Sequence, residues 1–491
     1  MGALDGRVRP LGPCEIYSSS RHSVGFYRCV ANTCRYSVPQ AALRGQAVRD
    51  AFETAVANVL LAIPSLTVGI VGQETSKPQF TQVLSINLKD HFEYRETADA
   101  DPGTRDSVLL GILENQHDQP WPEIEHRPPW KLIVVARDAV PEDGVVVLDA
   151  VFAVHHSIAD GRSTALFHTS LLNELNRSSG QPAQLSGCIL NVTGSGARKL
   201  TPPMEELVKF STSWGFLFQT LWRELGPAWL QDQPAAPWTG KAITREPCRT
   251  NVRLITVPAV AVPRLLAACR ANQTTLTPLL HALALASFAR HVPPEEAVTF
   301  HSSTPIDIRP FMDNSSDPAG RRSLFGVFIT AQYHDFSASL TRALREGPST
   351  DEIWKTAADL RRSMKQHLDN VPKDDIMSML GWVTDWQKFW LSKVGQPRQD
   401  TWEVSNIGSM AGGHGETDDA ARGWKIQRSL MSQGATVAGA AISISVAGVA
   451  GGEIAVVLGW QEGIVEKDTV DGLARDLQSW LDRLGQGKEL N

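Results

Sequence analysis

The stretch Val145–Ser163, VVVLDAVFAVHHSIADGRS, decides how the rest of the chain is read. The run from Val145 to Val154 is apolar and β-branched, with the composition and length of a buried strand. Two histidines close it, and Asp160-Gly161 follow four residues after the second. Beyond Gly161 the period changes: Phe167, Leu171 and Leu175 fall four apart, as do His168 and Leu172, which predicts an amphipathic helix. His155, His156 and Asp160 therefore sit where a strand gives way to a turn and then a helix. Such a junction holds polar groups rigidly yet leaves them reachable from a cleft.

Successive side chains on a strand point to opposite faces, so His155 and His156 cannot both serve one small site. That argues against a metal pair, and no HExxH or CxxC spacing offers a metal site elsewhere. One histidine is expected to face a cleft and the other to pack inside. A cleft-facing imidazole suits general base catalysis near neutral pH, provided that one tautomer and orientation are fixed. Asp160 could hold the turn that aims it, or merely cap the following helix. A rival reading also starts here. Gly161-Arg162-Ser163-Thr164-Ala165 approximates the nucleophile elbow of a serine hydrolase, but would leave the double histidine and Asp160 as coincidence.

His155-His156-Ser157-Ile158-Ala159-Asp160-Gly161 resembles the HHxxxDG signature of the chloramphenicol acetyltransferase-like superfamily. Within that group the chain most resembles the fungal alcohol acetyltransferases, a likeness strengthened by the opening RPLGPCEIYSSSRHSVGFYRCVANTCRY. The plant-type signature DFGWG is absent. The resemblance implies an α/β (α+β) fold of two chloramphenicol acetyltransferase-like lobes, each a mixed sheet flanked by helices, with a tunnel between them. It makes His156 and Asp160 the catalytic candidates, with His156 as base and the aspartate structural, paired with an arginine from elsewhere. His155 and Gly161 support the site. Arg309 in Ile306-Asp307-Ile308-Arg309-Pro310 is the expected partner of Asp160, with Arg21 as its rival. Ser405-Asn406-Ile407-Gly408 is similar to a serine–asparagine turn of the family, so Ser405 and Asn406 are candidates for contacting substrate or an oxyanion. The implied reaction moves an acetyl group from acetyl-CoA, a co-substrate and not a resident cofactor, to a small-molecule alcohol. A donor held on a carrier protein and a non-catalytic ligand-binding relative are the alternatives.

At 491 residues the chain exceeds a usual single domain. The expected division is residues 1–200 for a first lobe carrying the motif, 201–250 for a crossover, and 251–491 for a second lobe. A net charge of -6 gives no basic footprint for nucleic acid. Six scattered cysteines form neither a disulfide framework nor a zinc pattern, which fits reduced thiols in a cytoplasmic monomer.

Other stretches carry narrower expectations. Arg21-His22 reads as a surface or interface pair. Helices are predicted over 39–61, 107–115 (with Ser107 as a cap), 262–271, 277–291, 351–367, 376–391 and 468–484. Strands are predicted around 26–36 and over 67–71, 81–87, 132–136, 251–257, 299–311 and 402–410. The segment 132–136 should form a hairpin with 145–154 through the loop 141–144. Residues 204–230 hold an aromatic stripe at helical spacing, which suits a core helix, a lid, or peripheral contact with a membrane. His281 among leucines reads as a satisfied core histidine. The uncharged stretch 434–452 reads as adjoining strands rather than a membrane span.

Overall fold

The computed structural model describes residues 7–43, 47–97, 101–137, 144–177, 180–193, 199–225, 236–312, 318–347, 349–413 and 423–490. Two large sheets organise a mixed α/β fold. The first has five strands in the order Lys425–Gln433, Val30–Pro39, Val145–Val154, Trp130–Arg137 and Phe92–Thr97. Its neighbours are antiparallel except for the final pair. The second has six, in the order Thr250–Val257, Ile454–Gln461, Ile442–Val449, Trp402–Met410, Phe300–Asp307 and Ile329–Phe336. Here Trp402–Met410 runs parallel to both neighbours.

The motif strand Val145–Val154 occupies the middle of the first sheet, which explains why it is apolar continuously instead of alternately. Helix Gly161–Arg177 then folds back over that sheet, burying Phe167, Leu171, Leu172 and Leu175. The Phe167 ring stacks on Phe152 of the strand, at 3.7 Å between centroids, and so locks the two limbs of the turn together. In the second half, helix Leu276–His291 is buried along nearly its whole length against the six-stranded sheet.

Several expectations need correction. Pro39 ends a strand and does not start a helix; the helix begins at Val48. The helix Pro102–Asp118 is capped by Asp101, whose carboxylate accepts from the N–H groups of Gly103 and Thr104, so Ser107 lies inside it. Residues 204–230 are not one core helix. Short helix Met204–Leu207 and helix Trp214–Leu225 are separated where Ser213 bonds Asp374, and Trp214, Phe218 and Trp222 are exposed by 86%, 69% and 41%. Residues 226–230, and 141–143 of the expected hairpin loop, lie outside the described residues. The segment 376–391 divides into the 3-10 turn Ile376–Trp382 and helix Trp386–Ser392. The strand Lys425–Gln433, from the stretch assigned to the second lobe, pairs along all of Val30–Ser37 in the first sheet. It also packs on Ile442–Val449 and Ile454–Gln461 and so ties the two sheets together. Among the described residues no helix is long and apolar enough to cross a membrane.

Candidate active site

The strand Val145–Val154 ends at the motif, and the backbone N–H of His155 donates to Pro129 O at 2.9 Å. The side chain of His155 points inward and is fully buried. Ser157 N–H donates to its Nδ1 at 3.1 Å, the Ser157 hydroxyl lies 2.8 Å from the same nitrogen, and the Gln73 amide nitrogen lies 3.1 Å from Nε2. His22 packs edge-on to the same ring, at 4.6 Å between centroids, and shares Gln73 with it. Arg21-His22 is thus not a surface pair: His22 is buried against His155. Composition could not show this, because the helix Pro13–Ser23 that carries both residues was not anticipated.

His156 takes the opposite face. It is 9% exposed, and its ring lies 5.5 Å from that of Tyr27. Among the described residues its Nδ1 is buried with no hydrogen-bond partner beyond its own residue, while Nε2 makes no bond and is not enclosed. Burial pushes the imidazole down to about 4, the positive charge of Arg21 adds to this, and contacts with its own backbone and with Asp160 oppose it. The ring is therefore neutral at physiological pH, with an open nitrogen. That is the state a base requires.

Asp160 and Arg309 are brought together and fully enclosed. Arg309 Nη1 lies 2.9 Å from Asp160 Oδ2, and Nη2 donates to Oδ1 at 3.1 Å. The N–H groups of Ser163 and Phe328 donate to the same carboxylate at 2.7 and 2.9 Å. Burial opposes its ionisation, but Arg309 and these donors outweigh that and hold the carboxyl below its ordinary value. Arg309 also donates to Leu324 O and to Asp307, so the pair pins the motif turn to the end of strand Phe300–Asp307. Asp160 makes no hydrogen bond to His156. Fully buried, it acts on the turn and not on the imidazole directly, the structural part expected of it.

Gly161 is required by close approach: a Cβ there would lie 2.7 Å from Met431 Cε and 2.8 Å from Ile407 Cγ2. Ser163 is wholly buried, with its hydroxyl bonded to Gly326 and Arg309 and to no histidine, so the hydrolase elbow is overturned. His281 is a bonded core residue, with Thr304, Ser302 and Trp402 at 2.8, 3.0 and 3.0 Å.

Ser405 and Asn406 line a cleft of ≈280 Å³ with Gly161, Arg162 and Arg322, between the motif helix and the second sheet. Their side chains differ in availability. Asn406 Nδ2 donates one of its two hydrogens to Thr277 Oγ1 and its Oδ1 accepts from Gly408 N–H, so the amide braces the turn. Among the described residues the Ser405 side chain makes no hydrogen bond and is not enclosed. Two places back on the same face, Glu403 accepts from Gln433, and Gln433 in turn accepts from Tyr27 OH. Glu403, Gln433 and Tyr27 form a hydrogen-bonded chain that ends on the ring beside His156, and they carry no motif that would have singled them out.

The comparisons with known proteins bear on this geometry. The family model described as alcohol acetyltransferase matches residues 119–474. The chain belongs to the alcohol acetyltransferase family. Probable alcohol acetyltransferase FCK4 of Fusarium pseudograminearum is 30% identical over 489 residues, 99% of this chain and 96% of that relative. Probable alcohol acetyltransferase crmB of Aspergillus fumigatus is 25% identical over 473 residues, 93% and 95% of the two chains. The structure of the TRI3 trichothecene 15-O-acetyltransferase from Fusarium sporotrichioides superposes with a TM-score of 0.68 at 12% identity, covering 99% of this chain and 96% of that one. At that identity the match shows the shared fold. This alcohol acetyltransferase family member is an acyltransferase with the motif turn at the meeting of its two sheets.

Buried neutral histidines are a property of the whole molecule. Burial lowers His22, His91, His168 and His334 to about 4. In the unfolded chain each takes up its proton near 6.5, so between about pH 6.5 and 4 the unfolded state binds more protons and acidification favours it. Stability is complete above this window and is lost as pH falls through it. One such group contributes on the order of 3 kcal/mol. Thermal melts from pH 7 to 4.5 are expected to show a falling Tm; a flat profile would contradict these assignments.

Proposed function

We propose that the protein is an O-acetyltransferase that uses acetyl-CoA as donor, a small-molecule alcohol as acceptor and His156 as general base. The observation that carries this is the open Nε2 of a neutral, buried His156 on a turn fixed by the Asp160–Arg309 pair. His156 Nε2 takes the acceptor's hydroxyl proton as its oxygen attacks the thioester carbonyl carbon. The tetrahedral intermediate collapses with cleavage of the C–S bond, and the departing thiolate recovers the proton from His156. No acyl-enzyme forms, so the kinetics are sequential.

The cleft beside Gly161 suits the donor. Arg162 and Arg322 on its wall complement a phosphorylated carrier, and Ser405 is the hydroxyl left available to an oxyanion. Ser405→Ala is expected to lower kcat by about 10²-fold with little change in KM; an unchanged kcat would remove Ser405 from this role. We take the two sheets as two lobes with 201–250 as the crossover, the chain acting as a cytoplasmic monomer. The outward aromatic face of Trp214–Leu225 supports peripheral contact with a lipid surface over a core role.

The deciding experiment supplies acetyl-CoA and a panel of alcohols to the purified protein. Product mass and free thiol are followed together. A product heavier by one acetyl group supports the reading. Acylation only from a carrier-bound thioester would shift the donor, and ligand binding without any product would reduce the protein to a binding relative.

A further inference from the structure

Beside His156 lies a cation that the reaction above does not use. Arg21 projects from helix Pro13–Ser23 between two tyrosines, its guanidinium carbon 4.4 Å from the Tyr17 ring centre and 4.8 Å from that of Tyr27. Tyr27 is the same ring that contacts His156, so base and guanidinium share one wall. Among the described residues the Arg21 side chain makes no hydrogen bond and no ion pair, and its Nε is buried without a partner. Its side chain is fixed by stacking while its donors remain unspent.

Among the described residues no carboxylate pairs with it. The charge of Arg21 is felt by Glu403, but Glu403 already accepts from Gln433, and burial pushes its carboxyl towards the protonated form. The wall beside the base therefore carries a half-buried positive charge with no ion-pair partner among the described residues. It also weakens the base, because the Arg21 charge opposes protonation of His156.

We propose that Arg21 is the specificity determinant for an acceptor that carries a carboxylate as well as the hydroxyl to be acetylated. The planar fork of the guanidinium, held between the tyrosine faces, presents paired donors to a carboxylate. Binding of that group places the acceptor's hydroxyl on the His156 side and offsets the charge that depresses the base. The carboxylate is unchanged by the reaction. A neutral carbonyl would accept a hydrogen bond but leave the charge standing.

This inference rests on acceptors reaching His156, and the test separates the two. Binding of a panel of hydroxycarboxylic acids and of their methyl esters is measured by calorimetry on the full chain, for wild type, Arg21→Gln, Arg21→Lys and His156→Ala. The best acid is expected to bind wild type about 10- to 100-fold more tightly than its ester. Arg21→Gln should abolish that ratio, Arg21→Lys should restore part of it, and His156→Ala should keep it. With acetyl-CoA present, Arg21→Gln should raise KM for the acid selectively and spare the ester. Equal binding of acid and ester to wild type, no binding of any acid, or an unchanged ratio in a folded Arg21→Gln each overturns the proposal. An acid preference without acetylation would instead leave Arg21 standing and remove the proposed reaction.

Discussion

Replacing His156 with alanine is expected to lower kcat by about 10²–10⁴-fold, the usual worth of a positioned general base, with little change in thermal stability. The two halves of this expectation come from the same geometry. Nδ1 has no partner beyond its own residue and Nε2 has none among the described residues, so removing the ring strands no buried donor or acceptor. Contact with Tyr27 is lost, but the turn is held by Asp160 and Arg309 and does not depend on the imidazole. Steady-state rates and a melting curve on the same preparation check both. A loss below tenfold would remove His156 as the base. The pH profile adds a second readout: with the imidazole pushed down to about 4, kcat/KM should stay level from pH 8 to 6. A fall centred on 6.5 would mean an ordinary, solvated histidine.

Removing Arg309 should do the opposite, unfolding the site and much of the protein with it. The pair is completely buried, and Arg309→Met leaves Asp160 as an unpaired charge in the interior, a change worth about 3–5 kcal/mol. Asp160 would escape by taking up a proton, which surrenders the donors from Ser163 and Phe328 that hold the turn. Arg309→Lys is no remedy, because one ammonium cannot reach Asp160, Asp307, Ser163 and Leu324 O together. Denaturant unfolding measures the effect. The combined Asp160→Asn, Arg309→Met variant should lose less than the sum of the single changes, since it strands no ion. A stable, active Arg309→Met would show that the pair does not hold the turn.

The motif was legible because its parts are local. A central strand, a turn and an amphipathic helix each have their own period, and Val145–Val154 and the helix after it fall where periodicity puts them. The partner of Asp160 lies 149 residues away, and spacing alone could not choose between Arg309 and Arg21; only the resemblance favoured Arg309. What stayed hidden was long-range. Lys425–Gln433 contains Lys425, Gln427 and Arg428 and lacks a strand's usual alternation, because its inner end is buried on both faces. Glu403 and Gln433 look like surface residues until the fold sets them beside Tyr27. The stripe of Trp214–Leu225 left core, lid and membrane contact open for a related reason: helical periodicity shows a face, not what covers it.

The exchange of Lys425–Gln433 into the first sheet bears on how the chain comes off the ribosome. Val30–Pro39 is made early and finds Val145–Val154 as one neighbour, yet its other edge stays open until residue 433 has emerged. For most of synthesis the nascent protein thus presents an unpaired strand edge, a template for pairing with a neighbouring chain. His156 sits at the end of the strand next to that edge, so the base is not framed until nearly the last segment is threaded home. The first sheet is complete only when a strand from far along the chain has joined it.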